Sequence, residues 1–184
     1  MRKTGARFPA KAKGEKTMEK ALVIGCPGSG KSTFARELRD RSGLPLIYLD
    51  RIWHKPDKTT VTREEFDARL MEALQTERWI MDGNYARTLE TRLQFCDTVF
   101  FFDLPTELCL AGAAARVGKV HEDLPWVEEV FDPEFRQYIL DFRRERLPQM
   151  LETLKNAPER VKTVVFRSRE EAAAYLRAEF PIST

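Results

Sequence analysis

Gly25-Cys-Pro-Gly-Ser-Gly-Lys-Ser32 decides the fold of this chain, because it satisfies every fixed position of the pattern G-x-x-x-x-G-K-[ST]. The apolar run at 21–25 precedes it and predicts a buried strand, while 31–41 follows with apolar residues at helical spacing. The glycines let the backbone bend, so that successive N–H groups and the helix N-terminus can hold phosphate groups. A strand, this loop and a helix in that order predict a phosphate-binding site.

The loop residues have distinct expected roles toward ATP and Mg²⁺. Lys31 is expected to bridge the β- and γ-phosphates, and Ser32 to ligate the metal ion. Cys26 stands at a variable position of the pattern and is interpreted as a spacer. The residues expected to contact the nucleotide are Gly25, Gly28, Ser29, Gly30, Lys31, Ser32 and Thr33.

Strands alternate with helices along the rest of the chain. Helix signals include a capping box at Thr62, Pro105 as a helix opener, a long helical stretch bent near Pro148 and a second capping box at Ser168. Further strands are predicted at 46–49, 79–81, 98–102 and 161–166. Most of these strands are apolar on both faces, which predicts an α/β fold whose parallel sheet is covered on both sides, a three-layer sandwich.

Composition limits the class of protein. The 184 residues suit one domain, with 42% hydrophobic and 33% charged residues. No apolar run approaches the roughly 20 residues that a membrane helix needs, and the basic N-terminus lacks the apolar stretch of a signal peptide. Cys26, Cys96 and Cys109 show no metal or disulfide spacing. We therefore expect reduced thiols and a cytoplasmic location.

The charge is unevenly distributed between the first 17 residues and the remainder. The chain carries +2 in total, but residues 1–17 hold six basic residues and one acidic residue, so that 18–184 carries −3. This acidic balance disfavours direct binding to DNA. Residues 1–17 are interpreted as a disordered basic tail or a remnant preceding a start at Met18, with a nucleic-acid arm as the alternative. Residues 18–184 are expected to form the single domain, with 118–132 as a possible lid.

Further motifs make the chain resemble the bacterial "DNA topology modulation protein" family, a branch of the adenylate-kinase-like P-loop proteins. The resemblance spans 20–177 and rests mainly on Leu46-Ile-Tyr-Leu-Asp-Arg-Ile-Trp53, Trp79-Ile-Met-Asp-Gly-Asn-Tyr85 and Asp97-Thr-Val-Phe-Phe-Phe-Asp-Leu-Pro105. It implies a P-loop NTPase fold with a five-stranded parallel sheet of order 2-3-1-4-5. The family pattern carries an arginine where this chain has His121, and a histidine there would contact phosphate only when protonated.

Aspartates end three of the predicted strands, at the edge where parallel sheets bind ligands. Asp82-Gly83 resembles the Asp-Gly that serves the Mg²⁺ shell in adenylate kinases, with a turn aspartate as the alternative. Asp50 resembles the aspartate that touches the acceptor or the metal in shikimate-kinase-like proteins, and it is equally well interpreted as a cap. Asp103 is interpreted as the cap of the helix that opens at Pro105.

Arginines are candidates for stabilising the charge of a transferred phosphoryl group, since adenylate kinases place arginines in comparable regions. Arg87 and Arg116 are the leading candidates, although a solvated charged face also explains some of the set. The others are Arg92, Arg143, Arg144 and Arg146.

Aromatic residues near the same edge offer a second kind of contact. Trp53, His54 and Tyr85 could stack on a base or sugar, although aromatics at strand ends are more often part of the core. His54 and His121 stand too far from other metal-ligating residues for a metal site.

Three functions remain open from the sequence, the third being a nucleotide-binding protein without turnover. The first is a nucleotide or small-molecule kinase that uses ATP and Mg²⁺, with Lys31, Asp50, Asp82, Arg87 and Arg116 as catalytic residues and an unidentified acceptor. The second is an ATP-dependent regulator that influences DNA topology without small-molecule turnover, which the family's name favours.

Overall fold

A five-stranded parallel sheet forms the centre of the computed structural model, which describes residues 18–182; the expectations for residues 1–17 lie outside this range. The strand order is β2-β3-β1-β4-β5, and every pairing is parallel, so the predicted order is confirmed. The strands are β1 (Lys20–Gly25), β2 (Leu46–Tyr48), β3 (Trp79–Asp82), β4 (Thr98–Phe102) and β5 (Lys162–Phe166).

The strand register brings the carboxyl ends to one edge. Asp82, the last residue of β3, lies opposite Val23 of β1 and Tyr48 of β2. Gly25, which ends β1, pairs with Phe102 at the end of β4. Loops that leave these strands therefore converge above the same edge, where ligands bind in parallel α/β sheets.

Eight helices surround the sheet within the described residues. Gly43 ends the first helix in a left-handed conformation, with φ 70°. Thr62 and Ser168 cap the third and eighth helices through their hydroxyls, as predicted. The helices are α1 (Lys31–Ser42), α2 (Leu49–Trp53), α3 (Arg63–Gln75), α4 (Ala86–Leu93), α5 (Thr106–Ala114), α6 (Pro133–Glu145), α7 (Leu147–Lys155) and α8 (Arg169–Glu179).

The core lies on both faces of the central strands. All residues of β3 and β4 are buried, which explains their continuous apolar runs. On one face the ring of Phe34 from α1 contacts Phe100, Phe102 and Phe166, with centroids 4.9, 5.4 and 5.2 Å away. Such edge-on and tilted contacts are the arrangement that aromatic rings prefer. The α1 helix, which leaves the phosphate loop, is thereby fixed to the sheet.

The structure differs from the sequence-based expectations in several places. Asp103 does not cap α5: Pro105 is the N-cap residue, and the Asp103 carboxylate instead pairs with Arg143 and Arg167. The long helical stretch is divided into α6 and α7, and Pro148 lies in the first turn of α7. The short helices α2 and α4 were not predicted. Segment 118–132 holds turns and irregular backbone, and no described helix is long and apolar enough to cross a membrane.

Candidate active site

The loop between β1 and α1 has the shape that its glycines predict. Gly28 has φ 76° and Gly30 has φ 104°, values that side-chain-bearing residues rarely adopt. A Cβ atom at Gly28 would lie 2.0 Å from the carbonyl oxygen of Cys109 in α5. Glycine is therefore required at position 28 both by conformation and by the close approach of α5.

Lys31 and Ser32 begin α1 at the mouth of this loop. Lys31 is 9% exposed, and its Nζ donates to the carbonyl oxygen of Cys26 at 3.2 Å. Both residues line a cavity of about 1180 Å³ above the carboxyl edge of the sheet. A lysine held inside a glycine-rich loop is placed to contact phosphate oxygens without a large rearrangement.

Asp82 lies beside Ser32 at the end of β3. The residue is 5% exposed, and its Oδ1 has no hydrogen-bond partner among the described residues. Burial raises the pKa of Asp82 to about 6, although the Lys31 charge and the Ser32 hydroxyl act in the opposite direction. A buried, unpartnered carboxylate oxygen beside a hydroxyl fits Mg²⁺, which prefers oxygen ligands and keeps several waters. No group of three metal-ligating side chains occurs in 18–182, so water and phosphate would supply the remaining ligands.

Asp50 also lines the cavity, in the first turn of α2. The hydroxyl of Tyr85 donates to its Oδ1 at 2.8 Å. Burial raises the pKa of Asp50, and the Tyr85 hydroxyl, His54 and Lys31 oppose that effect. Because Asp50 lines the same cavity as the phosphate loop, it is placed to accept a proton from a bound molecule.

Two polar residues hold the loop that follows β3, and sequence analysis did not foresee either role. The Asn84 amide accepts from the Gly25 N–H at 2.9 Å and donates to the Gly25 carbonyl at 2.7 Å. Arg92, a predicted phosphate ligand, is instead fully buried and donates to the carbonyls of Gly83, Asn84 and Tyr85. Burial lowers the pKa of Arg92 to about 10. Asn84 stands two residues after the end of β3, and its partner Gly25 lies 59 residues earlier in the chain, so the sequence alone did not reveal the pairing.

Arg169 supports the phosphate loop from the other side. Its guanidinium donates to the carbonyls of Ser29 and Gly28 at 3.2 and 2.8 Å and also to Leu108. Ser29 itself is fully buried, with its hydroxyl unpartnered among the described residues. The loop is therefore anchored to the start of α8 as well as to the segment after β3.

The two leading arginine candidates lie in different environments. Arg116 lines the cavity, and it contacts Asp123 through Nη2 at 2.7 Å and Glu128 through Nε at 3.1 Å. Arg87 lies outside the cavity lining, exposed and paired through both Nη atoms with Asp67. The structure therefore does not bring Arg87 to the site, because α3 supplies it with a surface partner.

Of the remaining arginines, only Arg146 lines the cavity, where it lies over the ring of Tyr138 at 5.7 Å. Arg143 pairs with Asp103, and Arg144 with Asp141 and Glu145. These two form surface ion pairs rather than parts of the site.

Among the aromatic candidates and His121, only Trp53 does not line the cavity. His54, Tyr85 and His121 line the cavity. Trp53 packs against the core, and its ring centroid lies 5.5 Å from that of Phe66 and 6.3 Å from that of Tyr85. Of the residues predicted to bind the nucleotide or to act in catalysis, those that line the cavity are Gly28, Gly30, Lys31, Ser32, Thr33, Asp50, Asp82 and Arg116. Gly25 and Ser29 lie in the supporting part of the loop.

The sequence comparisons assign no family to the chain. No protein-family model matches the chain, and no curated protein sequence matches it significantly. The resemblance to the DNA topology modulation family is therefore not confirmed.

Solved structures give a clear result. Shikimate kinase from Bacteroides thetaiotaomicron superposes with a TM-score of 0.59 at 16% identity, covering 88% of this chain and 97% of the other. Shikimate kinase from Acinetobacter baumannii, in complex with shikimate, gives 0.57 at 18% identity, with coverages of 88% and 92%. A gluconokinase from Sinorhizobium meliloti gives 0.53 at 18% identity, with coverages of 90% and 91%. The chain thus has the fold of small P-loop kinases.

Proposed function

We propose that this chain is a phosphotransferase that binds ATP and Mg²⁺ and transfers the γ-phosphoryl group to a hydroxyl group of a small molecule. The observation that carries the proposal is the single cavity shared by the phosphate loop, Asp82 and Asp50. Its volume of about 1180 Å³ exceeds that of most small-ligand pockets and accommodates a nucleotide beside a second molecule. The kinase fold of the structural neighbours supports the same class of reaction.

The donor side of the cavity would be formed by Lys31, Ser32 and Asp82. Lys31 would hold the terminal phosphates, while the Ser32 hydroxyl and the Asp82 carboxylate would hold the metal ion, Asp82 directly or through water. Bound Mg²⁺ would neutralise the negative charge that develops on the phosphate oxygens. Arg116, which precedes the lid segment by two residues, would add a further positive charge.

The acceptor side would be organised by Asp50. Its carboxylate would take the hydroxyl proton as the acceptor oxygen bonds to the γ-phosphorus and the bond to ADP breaks. Burial keeps the pKa of Asp50 above the usual range of a carboxyl, which improves a base that must bind a proton during the reaction. Tyr85 would hold the carboxylate in place through its 2.8 Å hydrogen bond.

A coupled ADP-release screen tests this proposal with three acceptor classes: hydroxylated metabolites, nucleosides and nucleoside monophosphates. We expect ATP- and Mg²⁺-dependent turnover with a hydroxyl acceptor and none with Lys31→Ala. Turnover with a monophosphate that is insensitive to Asp50→Asn would overturn the hydroxyl assignment, since an ionised phosphate needs no base. The alternative function, an ATP-dependent regulator without turnover, predicts ATP binding but no acceptor-dependent release of ADP.

A further inference from the structure

Asp123 is a buried carboxylate that the proposed reaction does not use. It comes from the lid segment 118–132, is 4% exposed and lines the cavity. Its Oδ2 accepts from Arg116 Nη2 at 2.7 Å, and its Oδ1 lies 3.6 Å from Arg36 Nη1. A buried charge is costly unless it is paired, so this carboxylate fixes two guanidinium groups relative to each other.

Arg36 is placed close to the donor side of the cavity. It follows Ser32 by four residues on α1, so the two side chains lie on the same face of the helix. Its Nη2 donates to the Thr33 hydroxyl at 3.3 Å. Its Nη1 is buried and, among the described residues, makes no hydrogen bond.

Both arginines keep donors for a further ligand. A guanidinium has five N–H groups. Arg116 uses Nε for Glu128 and Nη2 for Asp123, and within 18–182 its Nη1 forms no hydrogen bond. The unpartnered Oδ1 of Asp123 and Nη1 of Arg36 face each other across 3.6 Å, a separation that is too long for a hydrogen bond. The contact between Arg36 and Asp123 is thus an ion pair without a hydrogen bond, and both arginines keep unused donors.

We infer that Asp123 is a positioning residue, which holds Arg36 and Arg116 as a pair of cations against the terminal phosphate of ATP. The inference rests on the proposed function, and it adds Arg36 as a phosphate contact and Asp123 as the group that orients both arginines. Two guanidinium groups are suited to phosphate oxygens because each offers paired, charged donors. ADP lacks the terminal phosphate, so the pair distinguishes ATP from ADP.

Calorimetry with Mg²⁺ and either ADP or a non-hydrolysable ATP analogue tests this inference without an acceptor. The parent chain should bind the analogue more tightly than ADP. Asp123→Asn and Arg36→Gln should each reduce that preference about tenfold, the value of one charge-assisted hydrogen bond. ADP affinity should stay at the parent level in both variants, which also shows that they are folded; if Asp123→Asn does not fold, Arg36→Gln decides.

Arg39→Gln is the matched control. Arg39 also lies on α1 and pairs with the lid residue Glu122 at 2.8 Å, but it does not line the cavity. The Arg39→Gln variant should keep the parent's preference for the ATP analogue over ADP if Arg36 and Arg116 are responsible for that preference. An equal loss in Arg39→Gln, an undiminished preference in Arg36→Gln, or a parent chain without preference would overturn the inference. An intact preference without turnover on any acceptor would instead remove only the proposed acceptor chemistry.

Discussion

Replacement of Asn84 by alanine removes the amide that joins the loop after β3 to the end of β1. The change deletes two hydrogen bonds, of 2.9 and 2.7 Å, to the N–H and carbonyl of Gly25. Gly25 is buried, so water does not readily replace the lost amide. Each buried polar group left without a partner costs about 1–3 kcal/mol, and two such groups predict a loss of about 2–6 kcal/mol in the free energy of unfolding.

Urea unfolding followed by tryptophan fluorescence measures this loss. Asn156→Ala is the control, because the Asn156 amide donates only to the exposed Glu152 side chain, at 3.3 Å. We expect that control to stay within about 0.5 kcal/mol of the parent. Asn84→Asp keeps the acceptor but loses the donor to the Gly25 carbonyl, so it should also destabilise the chain. Equal stability of Asn84→Ala and Asn156→Ala would refute the proposed anchoring of the phosphate loop.

Three residues of the site, Lys31, Asp82 and Asp50, each carry a further prediction. Lys31→Ala should lower ATP affinity by at least about tenfold in calorimetry while leaving the melting temperature within a few degrees. Because burial raises the pKa of Asp82 to about 6 from 3.8, the native chain binds the extra proton, so its stability should fall as pH rises from about 4 to about 6. Asp82→Asn should weaken this dependence of stability on pH. At pH 7 its free energy of unfolding, measured with urea, should exceed that of the parent by up to about 3 kcal/mol. The variant should nevertheless lose Mg²⁺-dependent turnover. Asp50→Asn should slow single-turnover transfer to a hydroxyl acceptor about 10²-fold with unchanged ATP affinity.

The fold was predictable because its signals are local. Each central strand is an apolar run, since helices cover both faces of the sheet. The phosphate loop is determined by glycines whose positive φ angles no other residue adopts easily. The caps at Thr62 and Ser168 bond only three residues ahead. The short helices α2 and α4 gave no comparable signal, because five to eight residues carry little periodicity.

The arginines could not be assigned from the sequence, because their partners are distant in the chain. Arg87 pairs with Asp67, which lies 20 residues earlier in the chain, and Arg143 pairs with Asp103, which lies 40 residues earlier. Arg92 is closer to its carbonyl partners, but only the folded loop turns those carbonyls toward one buried point. Arg36 is one of several charged residues of α1, and nothing in the sequence distinguishes it from the others. Whether a charged residue belongs to a site depends on its neighbours in space, and the sequence alone does not reveal those neighbours.

The anchors of the phosphate loop have a consequence for the order in which the site forms during synthesis. Asn84 holds Gly25 from 59 residues further along the chain, and Arg169 holds Gly28 from 141 residues further along. A nascent chain that has reached only the end of α7 therefore contains the whole glycine-rich motif but lacks one of its two supports. Nucleotide affinity should consequently appear late, after β5 has joined the sheet edge and the first turn of α8 has left the ribosome.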